Sequence, residues 1–193
     1  AISDTFEPGS VIKPFVAASA LELGLISMTQ QFDCNKGVGS AGGVRFRDSH
    51  APPTPTMSVV DTVVHSSNVC TYEIAKTLGP KRLEEGLQKF GFGGAIKTRI
   101  FPGQEFGTIS PSKEWRPIRF ANISFGQGMT ASGLEIARAY SIIANGGFRI
   151  TPRLVKTILR PDGSKLYGSS LGAKDRLLSA ETVSKTKNIL RAV

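Results

Sequence analysis

The run FVAASALELGL (residues 15–25) is apolar nearly all round. A helix built from it has little to offer water, so the rest of the chain must be built around it. Its start is marked by EPGSVIKPF, residues 7–15. Gly9 permits a tight turn, Ser10 is a favoured N-cap residue, and Pro14 is tolerated only near a first turn, which places the helix start close to Ser10. Ser10 and Lys13, three apart, then share one face. A serine hydroxyl is a weak nucleophile until a neighbouring base takes its proton, and a desolvated lysine readily loses its charge and becomes such a base. The helix N-terminus favours the alkoxide that develops. Spacing alone does not select this pair, because Ser110/Lys113 in ISPSKEW and Ser184/Lys187 in VSKTKN share it. Neither of those has a buried helix start behind it.

With 193 residues, 40% hydrophobic and 20% charged, the chain has material for one domain with a real core. It contains no run of about 18 apolar residues, hence no candidate membrane-spanning helix. No signal peptide is visible and the first residue is Ala1, so the expectation is a segment cut from a longer protein. The net charge of +9 raises nucleic acid as a partner. The basic residues in KRLEEGLQK, KTRIF and RLVKTILR are nevertheless scattered, without a stripe or interleaved aromatics, and no nucleic-acid partner is expected. A bacterial membrane surface or an anionic cell-wall polymer accounts for the charge equally well. Cys34 and Cys70 form no CxxC, which argues against zinc and leaves a disulfide open. Two histidines, His50 and His65, argue against a His-based triad or a multi-histidine metal site.

Along the chain, residues 32–56 are rich in Gly and Pro and read as an extended surface excursion holding at most one short strand. Residues 58–68 read as an apolar helix ending on an asparagine. TYEIAKTLGPKRLEEGLQKFGFG reads as two short helices broken at Gly79-Pro80 and stopped by Gly91. TRIFPGQEFGTISPSKEWRP reads as loop throughout. TASGLEIARAYSIIANGG has apolar residues at helical spacing and ends on Asn-Gly-Gly. RLVKTILRPDGSKLY gives two extended runs around Pro-Asp-Gly, a hairpin, and LSAETVSKTKNILRAV a last helix that the sequence leaves unfinished.

A second feature with chemical content is HSSNV, with Ser66 and Asn68 two apart. Such residues at helix ends ordinarily cap or turn the chain and do nothing else. Behind a Ser-x-x-Lys, however, Ser-x-Asn supplies the second of three elements of the penicillin-interacting serine acyltransferases. DTFEPGSVIKPF, RDSH, HSSNV, FGFG, PGQEFGTI and SFGQGMTASGLEIARAYSIIANGG then follow in that family's order. Over essentially all its length the chain resembles the transpeptidase domain of class B penicillin-binding proteins, of septal or elongation type.

The resemblance implies an α+β fold of the penicillin-binding-protein and serine β-lactamase type. It further implies a D,D-transpeptidase that cross-links peptidoglycan stem peptides ending in D-Ala-D-Ala and is a target of β-lactams, without metal or cofactor. By the same resemblance Ser10 is the nucleophile and Lys13 its general base. Ser66 passes a proton to the departing amine, and Asn68 orients Lys13 and binds the substrate amide. Arg45, Asp48 and His50 would shape the excursion beneath the site, Gly126, Gln127 and Gly128 a close-packed turn beside the cleft, and Trp115, Phe90 and Phe92 the core. The implied location is the bacterial inner membrane, the catalytic domain facing the periplasm or cell exterior and the anchor outside this chain, alongside other cell-wall synthesis proteins.

The family's third element, Lys-Thr-Gly on a sheet strand, is not found; KTK at 185–187 lies inside a helical period and lacks the glycine. The expectation is therefore a partial transpeptidase domain over residues 1–193. It would comprise mainly the helical half plus a β-hairpin, with most of the central antiparallel sheet outside it. Alone it would need a companion chain, or the remainder of the same protein, to supply that sheet. A β-lactam sensor or serine β-lactamase, and an inactive scaffold homologue, are the alternatives. A class A β-lactamase needs a second carboxylate to activate the deacylating water, and no loop here matches that role.

Overall fold

A computed structural model describes residues 2–95, 101–168 and 175–193. Its centre is helix α1 (Lys13–Glu22), in which every residue from Lys13 to Leu21 is buried, as the all-round apolar run demands. Three further helices enclose it: α2 (Val59–Val64), α3 (Asn68–Phe90) and α6 (Ala180–Arg191). Helices α4 (Pro117–Ser124) and α5 (Gly133–Ala144) pack outside α3 and α6. Phe15 of α1 anchors the core, its ring 4.8 Å from Phe90, 5.3 Å from Phe92 and 4.8 Å from Tyr140. Edge-to-face and tilted pairs of this kind add to the burial of large rings.

Local chemistry sets the helix ends. Ser58 caps α2 and Ser132 caps α5, each in a reciprocal box with the acidic residue three positions on, Asp61 and Glu135. Ser179 caps α6, and its backbone N–H and hydroxyl also donate to Glu22 at the end of α1. Helix α3 is interrupted at Gly79, whose φ of 71° is not helical, just before Pro80. Gly91 ends it in the left-handed conformation (φ 99°).

The strands form four separate two-stranded antiparallel ladders among the described residues. These are β1 (Thr5–Phe6) with β6 (Ala131–Ser132), β2 (Gln31–Asp33) with β5 (Thr56–Ser58), β3 (Val38–Ala41) with β4 (Val44–Arg47), and β7 (Thr157–Leu159) with β8 (Lys165–Gly168). The last is the hairpin expected around Pro-Asp-Gly. The mixture of helices with only small sheets agrees with the helical half of an α+β domain.

Four expectations are corrected. Residues 32–56 carry β2 to β4 and the start of β5, rather than one short strand; the β3–β4 turn at Gly42-Gly43 and the pairing of β2 with β5 organise the Gly- and Pro-rich segment. A disulfide between Cys34 and Cys70 ties that segment to the first turn of α3. The second helix ends at Val64, and Asn68 opens α3, because Ser67 accepts from Cys70 N–H and starts a new helix there. Of the stretch expected to be loop throughout, residues 98–100 lie outside the described residues, Ser112–Glu114 form a 3₁₀ turn, and Pro117 begins α4. Finally, Ser10 does not cap α1. It lies in a 3₁₀ turn, Gly9–Ile12, which leads into the helix at Lys13 without a side-chain cap.

Candidate active site

The turn ahead of α1 leaves Ser10 exposed, its hydroxyl without a hydrogen-bond partner among the described residues. One turn further on, Lys13 is 1% exposed. A buried ammonium must find acceptors, and Lys13 finds both in one residue: Nζ donates to the Ser66 carbonyl oxygen and, at 3.0 Å, to Ser66 Oγ. Burial pushes Lys13 down from 10.5 to about 8, while the Asp48 carboxylate pulls the other way.

Ser66 reaches Lys13 because the chain turns sharply between α2 and α3. Its backbone is left-handed, φ 53°, which for a residue with a side chain costs about 1–2 kcal/mol. In return its carbonyl and hydroxyl meet the same ammonium, while Ser66 N–H and Ser67 N–H close the end of α2 on Val63 O and Thr62 O.

Asp48 fixes the far side of this turn. Its carboxylate accepts from Ser67 Oγ at 2.7 Å, Asn68 N at 2.5 Å and Val69 N at 2.9 Å. A carboxylate at a helix N-terminus satisfies donors that have no partner within the helix and meets the positive end of its dipole. Asn68 Nδ2 in turn donates to Arg47 O at 2.8 Å, fastening the turn to β4.

The Ser10 turn is held by three contacts. Gly9 N donates to Gly126 O at 2.9 Å, Gly128 N donates to Glu7 Oε1 at 2.8 Å, and Tyr140 Oη donates to Val11 O at 3.1 Å. Gly126 has φ 85°, and a Cβ there would lie 2.1 Å from Gly9 O, so the close approach requires glycine.

Of the four expected site residues the structure brings Lys13 and Ser66 together; Asn68 follows two positions on, but its side chain donates to Arg47 O rather than to Lys13, and Ser10 lies on the turn before Lys13 with no hydrogen bond to it among the described residues. The competing pairs fall elsewhere. Ser110 accepts from Trp115 Nε1, and Ser184 lies exposed on α6, where Lys187 donates to Ala144 O. KTK at 185–187 lies within α6. Asp48 does more than shape the excursion. Its acidic character, next to a helix start without an acidic residue of its own, was the available signal. Tyr140 reads in the sequence only as an apolar helix position. Among the described residues no three His, Cys, Asp or Glu side chains stand where they could hold a metal ion.

This arrangement can be compared with known proteins. A model of the penicillin-binding protein transpeptidase domain matches residues 1–193. The penicillin-binding protein PbpB of Mycolicibacterium smegmatis is 33% identical over 192 residues, 100% of this chain and 29% of that protein. PenA of Neisseria meningitidis, named a probable peptidoglycan D,D-transpeptidase, is 32% identical over 178 residues, 92% of this chain and 30% of that protein. The crystal structure of penicillin-binding protein 3 from Mycobacterium tuberculosis superposes with a TM-score of 0.85 at 33% identity, covering 98% of this chain and 42% of that one. The chain spans less than a third of the length of these two curated relatives. The chain belongs to the transpeptidase family of class B penicillin-binding proteins.

Proposed function

We propose that residues 1–193 are part of the transpeptidase domain of a serine D,D-transpeptidase of peptidoglycan synthesis, with Ser10 its nucleophile. The observation that carries this reading is the buried Lys13, held by Ser66 one turn behind an exposed serine. With its pKa lowered to about 8, Lys13 has an appreciable neutral fraction near neutral pH, and a neutral amine can accept the Ser10 proton.

In this reading Ser10 Oγ attacks the carbonyl carbon between the two terminal D-alanines of a stem peptide as its proton passes to Lys13. The oxyanion of the tetrahedral intermediate is met by the backbone N–H of Ser10. As the intermediate collapses, the C–N bond breaks, and the leaving amine takes a proton through Ser66, which Lys13 resupplies. Asn68 holds the substrate amide. The acyl-enzyme is resolved when the amine of a second stem peptide attacks the ester and Ser10 recovers its proton. A β-lactam enters the same first step, with its ring amide as the bond that opens. Crystal structures of the Mycobacterium tuberculosis relative in complex with aztreonam and with ampicillin support β-lactam binding. The proposed setting is the outer face of the bacterial inner membrane; no helix among the described residues is long and apolar enough to cross a membrane.

The test is exchange on the full-length protein. A peptide ending in D-Ala-D-Ala, incubated with labelled D-alanine, should exchange its terminal residue, and Ser10→Ala should abolish this. Exchange that persists in Ser10→Ala contradicts the reading. Rapid turnover of a penicillin with no exchange would assign the site to a β-lactamase instead.

A further inference from the structure

Helices α1 and α3 leave a cavity of about 150 Å³ between their C-terminal halves, at the end of α1 opposite the Ser10 turn. Leu178, on the segment that leads into α6, closes it together with Phe90, and both are buried. Leu23 stands at the mouth, half exposed. An apolar space of this volume takes one benzene-sized ring or one branched aliphatic side chain.

One polar group lies on the cavity wall. Ser19 is 8% exposed, and its hydroxyl makes no hydrogen bond among the described residues. A buried hydroxyl without a partner is a cost that a bound polar group relieves. Gly86 is what keeps α3 close to it, since a Cβ there would lie 2.6 Å from Ser19 Oγ.

The rim carries charges of both signs. Arg82, Glu85 and Lys89 recur at i, i+3 and i+7 along α3, so they stand on one stripe about a turn apart, and all three are exposed. Among the described residues none of them makes an ion pair. Glu22, the other carboxylate at the mouth, already accepts from Ser179 N and Oγ.

We propose that this cavity binds a free α-amino acid with an apolar side chain, the side chain against Phe90 and Leu178, the carboxylate at Arg82 and Lys89 and the ammonium at Glu85. Cations and an anion that alternate along one stripe suit a zwitterion better than a simple anion, and the enclosed volume admits a single side chain. Such binding is separate from the chemistry proposed for Ser10.

The test is calorimetric titration of the full-length protein with phenylalanine, its amide and its N-acetyl derivative, each as both enantiomers. The wild type should bind phenylalanine of one hand with a Kd of about 1 mM or tighter. The amide, which lacks the carboxylate, and the N-acetyl derivative, which lacks the ammonium, should each bind about fivefold more weakly, the scale of one exposed ion pair. Arg82→Gln/Lys89→Gln should bind phenylalanine and its amide alike and still disfavour the N-acetyl derivative; Glu85→Gln should do the reverse. These positions are exposed, so the variants should melt as the wild type does. Leu23→Trp, which fills the mouth, should remove binding of all three compounds. No binding of either enantiomer to the wild type, equal binding of the three compounds, or rim variants that keep the wild-type preferences overturns the proposal. So does binding that is lost once the protein has reacted with benzylpenicillin, which would put the amino acid at the Ser10 turn.

Discussion

In the proposed reaction Lys13 is suited to act as the base because of where it is buried. Its ordinary pKa of 10.5 would leave almost no neutral amine at pH 7, and burial brings it to about 8. Because the neutral form is the base, the acylation rate should climb as pH rises through about 8 and level off above it. A pH–rate profile of penicillin acylation checks this, and a rate flat from pH 6 to 9 would remove Lys13 from the role. Lys13→Ala should slow acylation by several orders of magnitude, since removing one member of a serine–base unit forfeits most of its function. Asp48 acts differently, through hydrogen bonds to Ser67, Asn68 and Val69. Asp48→Ala leaves those donors unpaired and should cost about 2–3 kcal/mol in denaturant unfolding, with slower acylation. An unchanged midpoint would show that solvent satisfies them equally well.

The elements explain which parts of the fold were legible in the sequence. The buried α1, the break of α3 at Gly79-Pro80, the β7–β8 hairpin and the capped α5 and α6 all follow from local signals: an apolar run, a Pro, a turn dipeptide, a Ser three positions before its partner. The other three ladders of the described residues were less legible, because strands of two to four residues carry too few positions for a period. Helix α4 was hidden by Pro117, which reads as a loop residue yet sits well at a first helical position. In the site, Ser10, Lys13, Ser66 and Asn68 were legible as motif residues. The left-handed Ser66 and the Asp48 anchor were not, since both arise from contacts across 19 or more residues of chain. Two tests belong here. Gly126→Ala would drive a methyl into Gly9 O and move the Ser10 turn, so it should lower the melting temperature and sharply reduce acylation, whereas Gly128→Ala, with no neighbour closer than 3.9 Å, should act through φ strain alone. Equal effects of the two would mean that close approach is not what Gly126 provides. The Cys34–Cys70 bond closes a loop of 36 residues, and replacing both cysteines with serine should cost about 4 kcal/mol on the chain-entropy view. Denaturant midpoints with and without reductant measure it.

Across the molecule, one helix is wrapped by three others so that the turn ahead of it stays at the surface while its first residue, Lys13, is sealed. Exposure of Ser10 and burial of Lys13 follow from the same packing, which is why the all-round apolar run and the Ser-x-x-Lys belong together. The proposed chemistry therefore depends on Ser10 and on neither of the other two serines with the same spacing. Peptide mass mapping of the full-length protein after reaction with benzylpenicillin tests this directly. A single stoichiometric adduct on the peptide containing Ser10 is expected, lost in Ser10→Ala and unchanged in Ser110→Ala and Ser184→Ala; an adduct on any other residue, or one that survives Ser10→Ala, would contradict it.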